Sequence, residues 1–383
     1  MVWVLLAASD PAGASLTIDA NNRSIGKDAR PLLPHIGGRV AASPQKFPTP
    51  KGSWAYYHQW PAVYWEAAFV SDRLLLRFDD DKNEYRLTID DTTFRSIPQP
   101  GRVQLLVKGL GPGRHHVRLD KLTESVDFVR AFNGFFIPRS ETALPAPNPR
   151  PRQIEFIGDS GMTGYGVRSD TRICTKEEVR LRSDSSAAWP SIVAHSIDAD
   201  YQVNAISGIG LVRDFSGVTP KRVMSALYRR TLPNDPREWF DPSWHPQVVV
   251  IMLFNDFGTE LRPGERWADR AALVADYVQA YRHLIDTIHQ RSRRTTFILP
   301  WPNLDKINDI TMKKFSASAQ ADIRSAAINA GVTHIDFPML PDFEPENSAC
   351  DYHGSRNDHQ RLARWMTAWL NDRPELWKSY NFH

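Results

Sequence analysis

Ser160 closes a Gly158-Asp159-Ser160-Gly161 turn that stops the apolar run 154–157. A hydroxyl at the end of a buried strand, inside a glycine-flanked turn, has two readings. One is an N-cap that closes the first turn of a following helix. The other is a nucleophile for acyl transfer. A serine hydroxyl attacks poorly at neutral pH, so that chemistry needs a base to take its proton and donors to hold the oxyanion. Asp351-Tyr352-His353, just before the end of the chain, offers a base and a residue to orient it, although His353 read alone is equally a surface loop residue. Ser207-Gly208-Ile209-Gly210 and Asn255-Asp256 offer backbone and side-chain N–H groups.

These residues act together only if the fold brings their segments to one edge. The second part of the chain alternates strand and helix patterns. Strands are expected at 154–158, 201–206, 248–253, 296–300 and 333–337. A helix is expected over 267–290, where Val274, Val278, Tyr281, Leu284 and Ile288 recur every three or four residues. A terminal helix carries Leu362, Trp365, Met366, Trp369 and Leu370 on one face. Near-continuous apolar strands alternating with helices give a parallel sheet covered on both faces, with ligands beyond the strands' carboxyl ends. Ser160, the 204–210 segment and Asn255 all follow such ends.

Residues 1–145 read differently. Short, partly alternating runs at 63–69, 73–78, 84–90, 102–107, 115–121 and 126–137 are separated by turn signals, which indicates an all-β sandwich. The proline-rich stretch 138–153 reads as a stiff linker. The expected division is a β-sandwich over 1–145 and a catalytic domain over 146–383.

Composition narrows the class. Of 383 residues, 42% are hydrophobic, enough for a sizeable core, and no long apolar stretch spans a membrane. A formal charge of +3 with no dominant basic block argues against nucleic acid as a partner. The basic cluster 289–294 reads as a solvated helix end. The 12 Trp, 11 Tyr and 18 Phe serve as core or as platforms for sugar rings. The two cysteines, Cys174 and Cys350, have no metal-ligand spacing around them and either pair in an oxidising compartment or stay as inert thiols. The N-terminal apolar run ends in small residues but lacks a basic leader region and is short for a signal peptide; the lean is toward a secreted or periplasmic location.

In chain order, "GDS" at 158–160, "SGIG" at 207–210, "ND" at 255–256 and "DYH" at 351–353 resemble the SGNH (GDSL-type) hydrolase superfamily. The preceding β-rich region, together with "SGIGLVRDF" and "CDYHGSRNDHQRLA", resembles carbohydrate esterase family 2. The resemblance implies a flavodoxin-like three-layer α/β/α domain behind a jelly-roll-like sandwich. It implies Ser160 as nucleophile, His353 as base, and an oxyanion hole from the N–H groups of Ser160 and Gly208 and the amide of Asn255. Each such donor is worth on the order of 3 kcal/mol in the transition state. Asp351 is the candidate to orient His353, and a backbone carbonyl is the alternative, because the superfamily usually has its Asp three residues before the His and here it is two before. Leu253 stands where a Gly is usual and Gly354 where a Pro is common. Asp159 is expected to be structural. His359 is a rival base, disfavoured because it falls inside the terminal helix.

The resemblance also implies O-acetylated plant polysaccharide or oligosaccharide (xylan, glucomannan) as substrate, no metal and no organic cofactor. Tyr352 is the expected sugar platform, with packing under its own loop as the alternative. Trp301, at the end of a strand on the same sheet edge, either lines the cleft or packs in the core. Phe257 is a candidate cleft residue, and Phe254, Phe257 and Ile209 are crowding side chains suited to an acetyl-sized pocket. If the loops carrying Cys174 and Cys350 meet at the active edge, a disulfide between them would pin the base. The sandwich is expected to wall the cleft rather than bind glycan by itself, and a monomer is the default state. Two other readings stay open: a short-chain or lipid esterase on the same residues, and a glycan-binding protein with a decayed site.

Overall fold

The structure, a computed structural model, describes residues 15–18, 28–45, 50–219, 221–238, 241–304 and 310–378. The apolar run at the N-terminus lies outside the described residues. The chain divides into two compact units, Met1–Pro149 and Arg150–His383.

The first unit is an antiparallel β-sandwich. One sheet runs in the order Ser15–Ile18, Gly101–Lys108, Arg73–Asp80, Arg130–Pro138, Trp54–His58, Ala41–Pro44, with Ala29–Pro31 beside Arg130–Pro138. The other runs Thr142–Ala143, Tyr64–Val70, Arg114–Lys121, Glu84–Ile89, Thr92–Pro98, with His35–Gly37 beside Tyr64–Val70. Inward residues from both sheets form the core, among them Trp65, Phe69, Leu76, Phe78, Tyr85, Leu105 and Phe132. Because side chains alternate across a strand, facing pairs such as Leu76 and Leu105 turn the same way in register. The linker is shorter than 138–153. Pro138 ends a strand, Thr142–Ala143 pairs with Tyr64–Val70 after a turn at 139–141, and Arg152 begins the next strand, so the irregular stretch is 144–151.

The second unit holds a five-stranded parallel sheet in the order Ala199–Ala205, Arg152–Gly158, Val248–Met252, Thr296–Ile298, Ile335–Asp336. Helix Trp189–Ser196 packs on strand Ala199–Ala205 and on helix Arg356–Asn371, while helix Arg270–Arg291 packs on Ile310–Asn329. From strand Arg152–Gly158 the chain goes to Ala199–Ala205 on one side and then crosses to Val248–Met252 on the other, and right-handed crossovers in these opposite directions put the two helix pairs on opposite faces. This is the three-layer α/β/α arrangement. Strand Arg152–Gly158 is therefore the topological switch point, and its carboxyl end is where such sheets collect ligands.

Helix burial refines two expected faces. In Arg270–Arg291 the inward residues are Leu273, Tyr277, Tyr281, Leu284 and Ile288, while Val274 and Val278 turn to a groove shared with the neighbouring helix. In Arg356–Asn371 the buried residues are Ala363, Met366 and Leu370 together with the polar Asp358 and His359. Among the described residues no helix is long and apolar enough to cross a membrane.

Candidate active site

Strand Arg152–Gly158 delivers the serine. A Cβ on Gly158 would lie 2.4 Å from Met162 Sδ and 3.0 Å from the Met252 carbonyl, so only glycine lets the chain turn this sharply. Asp159, not Ser160, caps the one-turn helix Ser160–Thr163, its Oδ1 accepting the Gly161 N–H at 2.9 Å. The N-cap reading of Ser160 is thereby replaced, and its hydroxyl is not spent on capping. Burial pushes the Asp159 carboxyl up to about 6, against the pull of the Gly161 N–H.

His353 comes from the loop before helix Arg356–Asn371. Its Nε2 lies 2.8 Å from Ser160 Oγ, across 193 residues of sequence. Its Nδ1 lies 3.0 Å from the Cys350 carbonyl. A carbonyl can only accept, so Nδ1 carries the proton and Nε2 presents its lone pair to the serine hydroxyl, which donates. Burial holds the His353 pKa below the ordinary imidazole value, opposed by the Cys350 carbonyl and the Asp351 charge.

Asp351 does not orient this ring directly. The orienting acceptor is the Cys350 carbonyl, and Asp351 Oδ2 instead accepts from the Tyr165 hydroxyl at 2.7 Å. The reason is local. The backbone is left-handed at both Asp351 (φ 52°) and Tyr352 (φ 61°), a turn that aims the carbonyl before it at the imidazole and swings the carboxylate aside. Tyr165, which the motif reading passed over, also stacks on the His353 ring, with centroids 4.2 Å apart and planes 30° apart.

Segment 165–174 holds the base loop at several points. Cys174 and Cys350 form a disulfide. The Asp351 N–H donates to the Arg172 carbonyl at 2.7 Å. The Arg172 guanidinium donates to the carbonyls of Asn347 and Glu346 at 2.8 and 3.0 Å. From the other side, Asp358 in the first turn of the terminal helix accepts the N–H groups of Glu346 and Asn347, both at 3.0 Å.

The adjoining strands bring the amides. Gly158 pairs with Ala205 on one side and Met252 on the other, so Gly208 and Asn255 each stand three residues past a strand end flanking the serine turn. Gly208 is left-handed (φ 77°), and a Cβ there would meet nothing within 4 Å, so the space beside its Cα is open. The Asn255 side chain donates one N–H to the Ile209 carbonyl at 3.0 Å, which fixes the amide and leaves its second N–H to point elsewhere. Asp256 braces the same loop by accepting the N–H groups of Leu211, Val212 and Arg213 at 2.7, 2.7 and 2.8 Å. Burial nevertheless raises its pKa to about 6. Arg213, buried, ties this loop to segment 256–265 through Glu265 at 2.7 Å and the Asp256, Thr259 and Glu260 carbonyls. Tyr277 donates to the Leu253 carbonyl at 2.6 Å, so Leu253 serves as a buried anchor where a glycine is usual.

The remaining candidates divide. Tyr352 is 68% exposed beside the base, with the Arg172 guanidinium 5.0 Å from its ring centre. Phe257 is half-buried and meets Tyr277 edge-on at 5.0 Å. Trp301 is not a cleft residue: it is 4% exposed and wedged edge-on between Phe254 and Phe337, because an indole at a strand end fills the gap between two loops. His359 is no rival base. It is buried, its Nδ1 accepts the Trp189 N–H at 3.2 Å, and burial lowers its pKa to about 4. Phe215, which sequence reasoning missed, is 48% exposed, and its N–H donates to the Gly208 carbonyl at 2.9 Å. Among the described residues no cluster of three His, Cys, Asp or Glu could hold a metal ion.

Comparison with known proteins points one way. The family model for the carbohydrate esterase 2 N-terminal domain matches residues 38–147. An acetylxylan esterase / glucomannan deacetylase of Cellvibrio japonicus is 40% identical over 350 residues, covering 91% of this chain and 93% of that one. Among solved structures, a carbohydrate esterase whose active site displays divergent catalytic and non-catalytic binding functions superposes with TM-score 0.80 at 37% identity, over 91% of this chain and all of that one. A family two carbohydrate esterase from Clostridium thermocellum, in complex with cellohexaose, shares the fold at TM-score 0.71 and 24% identity, over 90% of this chain and all of that one.

Proposed function

The chain belongs to carbohydrate esterase family 2, and from that premise we propose that it removes O-acetyl groups from xylan, glucomannan or their oligosaccharides through a Ser160–His353 pair. The 2.8 Å contact between His353 Nε2 and Ser160 Oγ carries the reading, because it joins two distant segments with the imidazole in the tautomer that accepts.

The proposed cycle follows from the geometry. His353 Nε2 takes the Ser160 proton as Oγ attacks the acetyl carbonyl, and the N–H groups of Ser160 and Gly208 and the free amide N–H of Asn255 receive the oxyanion. The Cys350 carbonyl keeps the Nδ1–H in place as the ring becomes imidazolium. His353 then gives its proton to the leaving sugar oxygen. Water enters and loses a proton to the same nitrogen as its oxygen attacks the acyl carbon; the bond to Ser160 Oγ then breaks, acetate leaves, and His353 returns the proton to Oγ. Tyr352 supplies a sugar platform at the rim, and Phe215 offers a second exposed ring near Gly208. Export fits the Cys174–Cys350 disulfide, since such bonds persist in oxidising compartments.

The test compares p-nitrophenyl acetate with butyrate and longer esters, and follows by NMR the acetyl signals of acetylated xylan and glucomannan oligosaccharides. The expected outcome is preference for acetate and loss of defined sugar acetyl signals. Preference for long chains would instead assign a lipid esterase, and sugar binding without hydrolysis a glycan-binding protein.

A further inference from the structure

His353 donates its orienting hydrogen bond to a backbone carbonyl, which carries no charge to balance the imidazolium formed during catalysis. The carboxylate that would do so, Asp351, sits two residues before the histidine and is spent on a phenol, 2.7 Å from the Tyr165 hydroxyl. The same Tyr165 ring lies nearly parallel to the imidazole at 4.2 Å. One residue thus touches both the base and the acid.

We propose that Tyr165 is a positioning residue that couples Asp351 to His353, its ring stacking on the imidazole and its hydroxyl anchored on the Asp351 carboxylate. A cation is attracted to the face of an aromatic ring. A phenol donating to a carboxylate has an electron-richer ring than a free phenol, so the stack favours imidazolium more strongly than a phenylalanine would. The arrangement does for the ring face what a carboxylate on Nδ1 does for the ring edge. It also fixes the imidazole plane, leaving Nε2 aimed at Ser160. The departure at Asp351, two residues before the histidine rather than three, is then a changed route for its charge.

The groups facing His353 are accounted for on each side. Asp351 belongs to its own loop. Tyr165 and Ser160 come from the segment that follows the central strand. His359, from helix Arg356–Asn371, is neutral near pH 7, its pKa lowered to about 4 by burial. The Arg172 guanidinium is engaged with the Tyr352 ring and with backbone carbonyls.

The test measures the His353 titration directly by NMR of its ring protons, and separately the pH profile of p-nitrophenyl acetate hydrolysis. The proposal rests on the esterase reading only for its kinetic arm, since the NMR titration reads the coupling whether or not the protein turns over. Tyr165→Leu is expected to lower the His353 pKa by about one unit and kcat about tenfold, with KM nearly unchanged and the acid limb of kcat/KM moved to lower pH. Tyr165→Phe keeps the stack and should give a smaller shift in the same direction, which carries the test if Tyr165→Leu fails to fold. Asp351→Asn should cost less in the Tyr165→Phe background than in the wild type. A lowered melting temperature with the His353 titration unmoved, or full additivity of Tyr165→Phe and Asp351→Asn, would overturn the proposal.

Discussion

Each unit of this chain contains a histidine bonded to a hydroxyl at nearly the same distance, and only one of the pairs has the layout of an active site. In the parallel-sheet unit, Ser160 Oγ and His353 Nε2 are 2.8 Å apart. In the sandwich, Tyr85 OH and His58 Nε2 are 2.9 Å apart. The proton runs in opposite directions. Tyr85 gives its hydrogen to Asp80 at 2.5 Å, so His58 Nε2 must donate to the phenol oxygen, while Nδ1 is buried with no hydrogen-bond partner among the described residues. His353 has its Nδ1–H on a carbonyl and so accepts at Nε2. Around His58 the chain packs Trp65 and Tyr85 and a fully buried Lys121, which donates to the Gln59 and Trp60 carbonyls at 3.0 and 2.9 Å. Around His353 it places a half-open strand edge with amides nearby. A short histidine–hydroxyl contact is therefore not a site by itself. Tautomer, access and oxyanion donors make the difference.

Five experiments break or sharpen this contrast. The largest effect is expected from Ser160→Ala, which should remove hydrolysis by about four to six orders of magnitude while leaving thermal unfolding nearly unchanged. Comparable residual activity in steady-state assays would dissolve the distinction between the pairs. Next comes the disulfide, which closes a separation of 176 residues. Replacing both cysteines by alanine should cost about 2–5 kcal/mol in denaturant unfolding and lower kcat as well, since Cys350 carries the carbonyl that holds His353. Third, Tyr85→Phe should cost about 1–3 kcal/mol of stability by stripping Asp80 and His58 of a buried partner, with kcat unaltered below the new melting point.

The smallest effects are in pH, and the pairs should separate there too. Burial lowers His353, so kcat/KM should hold as pH falls below the usual imidazole value of 6.5 and drop only as the folded-state pKa is crossed. A profile falling at or above 6.5 would contradict this. His58 is lowered from 6.5 to about 3, chiefly by burial and then by the charge of Lys121. Between those values the unfolded chain binds the extra proton, so the stability His58 contributes is fully present above 6.5 and is lost as pH falls toward 3. Lys121, lowered from 10.5 to about 7 by burial, adds stability as pH rises from 7 to 10.5. Chemical denaturation across pH, followed by sandwich-specific probes, reads both.

Legibility in the sequence followed the same division. The strands that lead to Ser160, Gly208 and Asn255 were readable from runs such as Val248–Met252, which is apolar throughout, as a strand buried on both faces must be. The meeting of residue 160 with residue 353 came through family resemblance, since no periodicity encodes a contact across 193 residues. What escaped was what depends on φ and on packing volume. The left-handed turn at Asp351 diverts the carboxylate to Tyr165, and spacing alone does not reveal a turn's hand. Trp301 ends a strand, a position that suits cleft and core alike, and only the positions of Phe254 and Phe337 show that its ring is enclosed. In the sandwich, Glu66, Arg118 and Lys121 sit in strands that alternation would turn outward or leave polar, and their burial is compensated pairwise, as in the 2.6 Å contact of Arg118 with Glu66.

The two successive left-handed residues at 351 and 352 carry a practical warning. A protein engineer seeking a tougher enzyme would replace L-residues at positive φ by glycine, a swap that relieves about 1 kcal/mol of backbone strain per site. Here that recipe would delete the carboxylate that anchors Tyr165 at one position and the exposed ring beside the base at the other, so the sturdier variant would be the poorer catalyst.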